Sequence, residues 1–172
     1  VYSLSESIAI LERTPKSLHA LLDGLPEKWT HANEGPDTWS AYDIIGHLIH
    51  GERTDWIPRA RHILSRNPEP FEPFDRFAQF TESQGKSLAE LLDSFESLRK
   101  ESIASLKQLN LTDDDLQLKG THPALGTVTL SQLLATWTVH DLNHIAQISR
   151  VMAKVYSGET GPWTEYLTIL HR

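Results

Sequence analysis

The sequence predicts an all-α protein of the four-helix-bundle kind. Apolar residues recur at spacings of three and four along most of the chain, the mark of amphipathic helices. Alternating or β-branched runs of strand type are nearly absent. Breaks rich in Gly and Pro divide the periodic stretches into four long pieces with long connections, which suits a bundle. At 172 residues, 39% of them hydrophobic, the chain suits one domain spanning 1–172 with a substantial core.

The first piece, residues 3–25, carries Leu4, Ile8, Leu11, Leu18, Leu22 and Leu25 at helical spacing. Thr14-Pro15 has the form of an N-cap followed by proline at the first helical position, so this is one bent helix or two abutting ones. Gly24 and Pro26 end it, and 27–40, with Gly35-Pro36-Asp37, reads as a loop. The second helix runs from Ser40 to about Ser65. A kink is expected at Pro58, because proline removes a backbone donor and crowds the preceding turn. Pro68, Pro70 and Pro73 then make a long connection. The third helix spans about 83–109, with Leu88, Leu91, Leu92, Phe95, Leu98, Ile103 and Leu106 in one stripe. Residues 110–128 form a loop with a short hairpin around Gly120–Gly126. Thr129 followed by Gln132 is a capping box that opens the fourth helix, which continues to about Val155. Ser157–Pro162 breaks the chain before a short helix from Trp163 to Leu170.

The net charge of −7 argues against nucleic acid, whose affinity comes from Lys and Arg neutralising phosphates, and against an anionic membrane surface. No apolar run is long enough to span a bilayer, and the N-terminus lacks the pattern of a secretory signal. A soluble, cytoplasmic protein is expected. The absence of cysteine removes disulfides, thiolate ligands and a cysteine nucleophile. Any metal must be held by imidazole, carboxylate or water.

Histidine placement carries the functional signal. On a wheel of about 100° per residue centred on His140, Leu133, Trp137, Ile148, Val151 and Val155 fall at about 20–80°. His144 falls inside that apolar arc, His140 borders it, and Asp141 is on the buried side. Polar groups buried there need compensation of about 1–3 kcal/mol each. A divalent ion supplies it for neutral imidazoles, and rings one turn apart can reach a single ion. On the second helix His47 borders the apolar arc of Ile44, Ile45, Leu48, Ile49 and Trp56, beside Gly51, whereas His50 points further away. His47 is therefore the preferred third ligand. His19 reads as a surface residue, His31 and His122 as loop residues, and His171 as a solvated terminus; the Pro58 kink leaves the facing of His62 open. His140-Asp141-Leu142-Asn143-His144 is one substitution from H-E-x-x-H. A zincin reading fails, because aspartate is one methylene short and no sheet precedes the helix. Asp141 could still orient a ligand histidine or act on a bound water. Trp39, Trp56 and Trp137 are candidates for the wall of a pocket or for simple core.

The stretches TWSAYDIIGHLIHGE, carrying His47, and HPALGTVTLSQLLATWTVHDLNHIAQISR, carrying His140 and His144, resemble the DinB/YfiT-like family of helical metal-binding proteins. The ordered combination covers residues 4–155. The resemblance implies an up-down-down-up four-helix bundle, often a homodimer, with one divalent ion on His47, His140 and His144. Relatives include S-transferases and isomerases using low-molecular-weight thiols such as bacillithiol or mycothiol; others are described as hydrolases or damage-inducible proteins. The function expected here is metal-dependent transfer of such a thiol to a small-molecule substrate in detoxification or stress response. The alternatives are a hydrolase using metal-activated water and a non-enzymatic, stress-associated metal-binding protein. Imidazole ligands suit zinc, nickel, iron or copper.

Overall fold

A computed structural model describes residues 2–171. The first piece is two abutting helices, α1 (Leu4–Leu11) and α2 (Thr14–Leu22). Ser3 caps α1 by accepting from the Glu6 N–H. Thr14 lies within α2 instead of capping it, and Pro15 occupies the first turn, where its missing N–H costs nothing. One helical turn, α3 (Glu27–Thr30), forms inside the expected loop.

The second piece is α4 (Ala41–Thr54) followed by α5 (Trp56–Leu64). Ser40 and Asp43 form a reciprocal capping box at the start of α4. The break falls at Asp55, three residues before the expected kink. In a continuous helix the Pro58 ring would meet the carbonyl of residue 54. Ending α4 at Thr54 removes that clash and leaves Pro58 in the first turn of α5. The following connection contains α6 (Ala78–Glu82), and α7 (Leu88–Gln108) begins later than expected, at a Ser87–Glu90 capping box. The turn α8 (Asp113–Leu116) precedes the hairpin of β1 (Lys119–His122) and β2 (Gly126–Thr129), antiparallel with His122 opposite Gly126. The Thr129–Gln132 capping box opens α9 (Leu130–Lys154) as the sequence indicates. Beyond it, three short 3₁₀ segments between Ser157 and Leu170 replace the expected helix.

The four long pieces are α1–α2, α4–α5, α7 and α9. The long connections ahead of α7 and α9 permit the crossovers of an up-down-down-up bundle, which consecutive short hairpins would not. The core has two clusters. One gathers Trp56, Ile63, Leu106, Leu134 and Trp137; the other gathers Leu18, Ile44, Ile45, Leu92, Phe95 and Ile148. Arg99 of α7, only 2% exposed, lies against both, its guanidinium 5.0 Å from the Phe95 ring and 5.2 Å from the Trp137 ring.

Two carboxylates with fully buried side chains flank it. Arg99 donates to Asp141 of α9 through both terminal nitrogens, at 2.6 and 3.0 Å. It donates to Glu52 of α4 through Nε at 3.0 Å and a terminal nitrogen at 2.8 Å. A further bond of 2.9 Å goes to the Leu11 carbonyl at the end of α1, and Trp137 Nε1 donates to Glu52 at 3.1 Å. The two carboxylates hold the guanidinium charged, raising its pKa against the opposing effect of burial. Burial in turn pushes the Glu52 carboxyl up, which Arg99 resists. Among the described residues, no helix is long and apolar enough to cross a membrane.

Removing one member of a buried ion cluster strands the others. Arg99→Ala is expected to cost about 3–5 kcal/mol, seen as a fall in Tm of the order of 10 °C for a chain of this size. The triple variant Arg99→Met, Glu52→Gln, Asp141→Asn should recover much of that loss, because no buried charge is left unpaired. A thermal melt of Arg99→Ala indistinguishable from wild type would contradict the assignment.

Candidate metal centre

His47 projects from the middle of α4, and His140 and His144 from successive turns of α9. The wheel predicts this convergence, and the structure brings the three rings together. His140 Nε2 lies 3.2 Å from His47 Nε2 and 3.1 Å from His144 Nε2. The candidate ligand atoms of the three residues all fall within 4.8 Å of one another. The close packing behind His47 depends on Gly46 more than on Gly51. A Cβ at Gly46 would come 2.4 Å from Ser83 Oγ and 3.0 Å from Gln79 Cβ on the α6 side, whereas one at Gly51 would meet Trp56 at 3.4 Å.

Hydrogen bonding alone does not account for the cluster. A ring nitrogen carries either a proton or a lone pair, so His140 Nε2 can complete one good bond with its two neighbours and not two. A cation accepts all three lone pairs. Zinc–imidazole bonds of about 2.0–2.1 Å place nitrogens about 3.4 Å apart in a tetrahedral site and about 3.0 Å apart on an octahedral face. The observed 3.1 and 3.2 Å lie between these values. The protonation states also fit. Burial pushes His47 and His140 down to about 3, helped by the charge of neighbouring histidines, and burial also lowers His144. The rings are therefore neutral and able to ligate near pH 7. His144 Nδ1 is paired with Gln147 Oε1 at 2.9 Å, which leaves its Nε2 free to face the cluster. The buried Nδ1 atoms of His47 and His140 have no hydrogen-bond partner.

Aromatic rings enclose the triad. Trp39 lies 4.9 Å from His47 and stacks on His144 at 6.5 Å, Phe74 meets His47 edge-on at 5.4 Å, and Trp56 meets His140 at 5.2 Å. Trp39 and Trp56 thus wall a pocket, while Trp137 is core. The triad opens onto a cleft of about 1180 Å³. Its polar lining includes Glu34, Asp37, Asp55, Arg59, Arg76, Asn143 and Arg150. Two hydrogen-bonding cations, Arg150 and Lys154, hold Glu34 down to about 2. Burial raises the pKa of Asp55, against the pull of Arg59, whose guanidinium is 2.6 Å away.

Asp141 does not take either role open to it from the sequence. It is 0% exposed and turned into the Arg99 cluster, and it bonds neither a ligand histidine nor the cleft. One residue along a helix is about 100° of rotation, so His140 and Asp141 serve different faces of α9. His50 stays out of the triad and pairs with Glu82 of α6 at 3.0 Å. His19 is near Asp93 and Asp23 on the surface, and His62 bonds the Glu69 carbonyl. His31 stacks on Tyr42, and His171 bonds the Thr164 carbonyl. His122 accepts from the backbone of Ala124 and Leu125 at the cleft rim. Phe74, Arg59, Arg76 and Arg150 escape the sequence reading. The first and third belong to a connection without periodicity, and the other two read as ordinary solvated helix charges.

The model of the DinB superfamily matches residues 10–148. The chain belongs to the DinB superfamily. Among solved structures it is similar to YfiT from Bacillus subtilis, described as "a probable metal-dependent hydrolase with an unusual four-helix bundle topology". The likeness has a TM-score of 0.73 at 20% identity and covers 88% of this chain and 86% of that one. At that identity it establishes the shared bundle fold. No curated protein sequence matches.

The depressed histidines make the metal-free protein acid-sensitive. In the unfolded chain His47 and His140 take up protons as pH falls through their ordinary value of 6.5, whereas in the folded protein they do so only at about 3. Their contribution to stability is complete above pH 6.5 and falls at up to about 1.4 kcal/mol per pH unit for each histidine as pH drops toward 3. Denaturant unfolding of metal-free protein between pH 7 and pH 4 should show this slope, and His47→Gln with His140→Gln should flatten it. An unchanged slope in the double variant would contradict neutral burial.

Proposed function

We propose that this DinB-superfamily protein is a metal-dependent hydrolase of small molecules, with one divalent ion held by His47, His140 and His144. The observation that carries the reading is the convergence of three neutral imidazole nitrogens beneath a cleft large enough for a small substrate. Three protein ligands suit a catalytic site better than a closed structural one, which uses four. A bound divalent ion supplies Lewis acidity, lowering the pKa of water to about 7 and polarising a carbonyl. The account of YfiT as a probable metal-dependent hydrolase supports hydrolysis over the thiol transfer expected from the family resemblance; a small thiol would use the same three histidines.

The chain's own residues divide the remaining work. Trp39, Trp56 and Phe74 exclude water around the triad and orient an apolar substrate body. Among the carboxylates that line the cleft, Glu34 is neutralised by Arg150 and Lys154, and Asp37 is exposed. Asp55 is half-buried, and burial raises its pKa despite its pairing with Arg59, whereas pairing lowers the pKa of Glu34, so Asp55 is the group placed to accept a proton from water. Arg59 orients it.

Purified protein is expected to carry one divalent ion per chain. His144→Ala should lose the ion while His19→Ala retains it, as read by elemental analysis; equal retention would sink the ligand set. The metal-loaded protein should hydrolyse activated esters or amides, and a parallel assay with a small thiol and a chromophoric electrophile reads the transfer reaction. Asp55→Asn should lower kcat/KM for hydrolysis by about 10²–10⁴ at unchanged metal content. Faster thiol transfer than hydrolysis would replace the hydrolytic reading.

A further inference from the structure

Three arginines line the cleft, and their surroundings differ. Arg59 is 2.6 Å from Asp55 and donates to the Glu72 carbonyl at 3.2 Å. Arg150 grips Glu34 through bonds of 2.7–3.1 Å. The charge of each is answered within the protein. Arg76 is exposed, and among the described residues it makes no hydrogen bond or ion pair. It belongs to the connection between α5 and α6, two residues after Phe74, whose ring packs on both His47 and His50. That packing fixes the connection against the histidine layer and brings Arg76 near enough for its charge to act on His47. Phe77, which is 67% exposed, lies beside it on the cleft wall.

A guanidinium without an ion-pair partner at the edge of an aromatic cleft is free to hold a carboxylate with two parallel N–H···O bonds. The setting matters because the chain carries a net charge of −7, a field that repels anions unless a local cation offsets it. We propose that Arg76 anchors a carboxylate of the substrate, so that the cleft selects small anionic esters or amides over neutral ones. The carboxylate lies at Arg76, an apolar body lies against Phe74, Phe77 and Trp39, and the reacting carbonyl reaches the histidine layer. The reaction named here rests on the hydrolytic reading above; carboxylate recognition does not.

Two arms separate the two claims. In the first, metal-loaded protein is assayed on 4-nitrophenyl butyrate and on the mono-4-nitrophenyl ester of glutaric acid, which differ in a terminal carboxylate. Wild type should favour the anionic ester. Arg76→Gln should raise KM for that ester about tenfold, with kcat and the neutral ester little affected, and Arg76→Lys should restore part of the loss. In the second arm, binding of glutarate and of butyrate to metal-loaded protein is followed by quenching of tryptophan fluorescence. A carboxylate that binds the ion alone serves both acids equally, whereas Arg76 adds affinity for glutarate only. A preference for glutarate that Arg76→Gln abolishes, in a protein that cleaves neither ester, supports the anchor and overturns the hydrolase. Cleavage of both esters with no effect of Arg76→Gln on KM or on glutarate binding overturns the anchor and leaves the hydrolase standing.

Discussion

The buried ion cluster around Arg99 is the constraint on which the remaining geometry depends. A guanidinium enclosed between two apolar clusters is tolerable only if its charge is met and its donors are filled. Glu52 and Asp141 meet the charge, and the Leu11 carbonyl takes a further donor. These partners come from α4, α9 and the end of α1, so one side chain on α7 ties all four pieces of the bundle together. The consequence reaches the histidines directly. Glu52 lies on the same helix as His47, five residues on, and Asp141 immediately follows His140. Any slide or rotation of α4 against α9 that opened the histidine cluster would also pull a carboxylate from Arg99.

The protein thus buries polar groups in two different ways on neighbouring faces of the same helices. Toward the bundle axis two carboxylates enclose one guanidinium and fill most of its donors, so that layer is held together by its own ion pairs, with Glu52 Oε2 left without a hydrogen bond. Toward the cleft the groups are neutral imidazoles whose nitrogens converge without enough protons to bond one another. The first layer fixes helix register, and the second is left in need of a cation. Asp141 bonds only within the first layer, although its charge still reaches His144, where it opposes the stronger downward pull of burial.

The parts of this arrangement that were legible in the sequence are those encoded by local periodicity and capping. The four helical pieces, the Thr129–Gln132 box, the hairpin before α9 and the inward facing of His47, His140 and His144 all follow from spacing within one element. The Pro58 break was legible in kind but misplaced, because proline acts on the carbonyl four residues earlier and the chain resolves the clash by ending the helix there. The partner of Asp141 was not legible. Its wheel position marks it as buried, but Arg99 sits 42 residues away on another helix, where it reads as an ordinary charge in the sequence. Phe74 and Arg76 were hidden for a similar reason, since a proline-rich connection has no period from which a facing can be read.

That division between legible and hidden parts has a physical counterpart in the site. The histidines stand on long helices held by a buried ionic lock, so their mutual geometry resists change in the surrounding loops. The cleft walls come largely from connections: Trp39 precedes α4, Phe74 and Arg76 lie between α5 and α6, and His122 belongs to the hairpin. Such segments tolerate insertion and substitution at little cost to the core. A bundle built in this way can keep its metal-binding floor while altering what stands above it. In this chain the walls are aromatic and, among the described residues, Arg76 on them has no ion-pair partner, so the cleft takes its character from the connections and the histidine geometry from the helices.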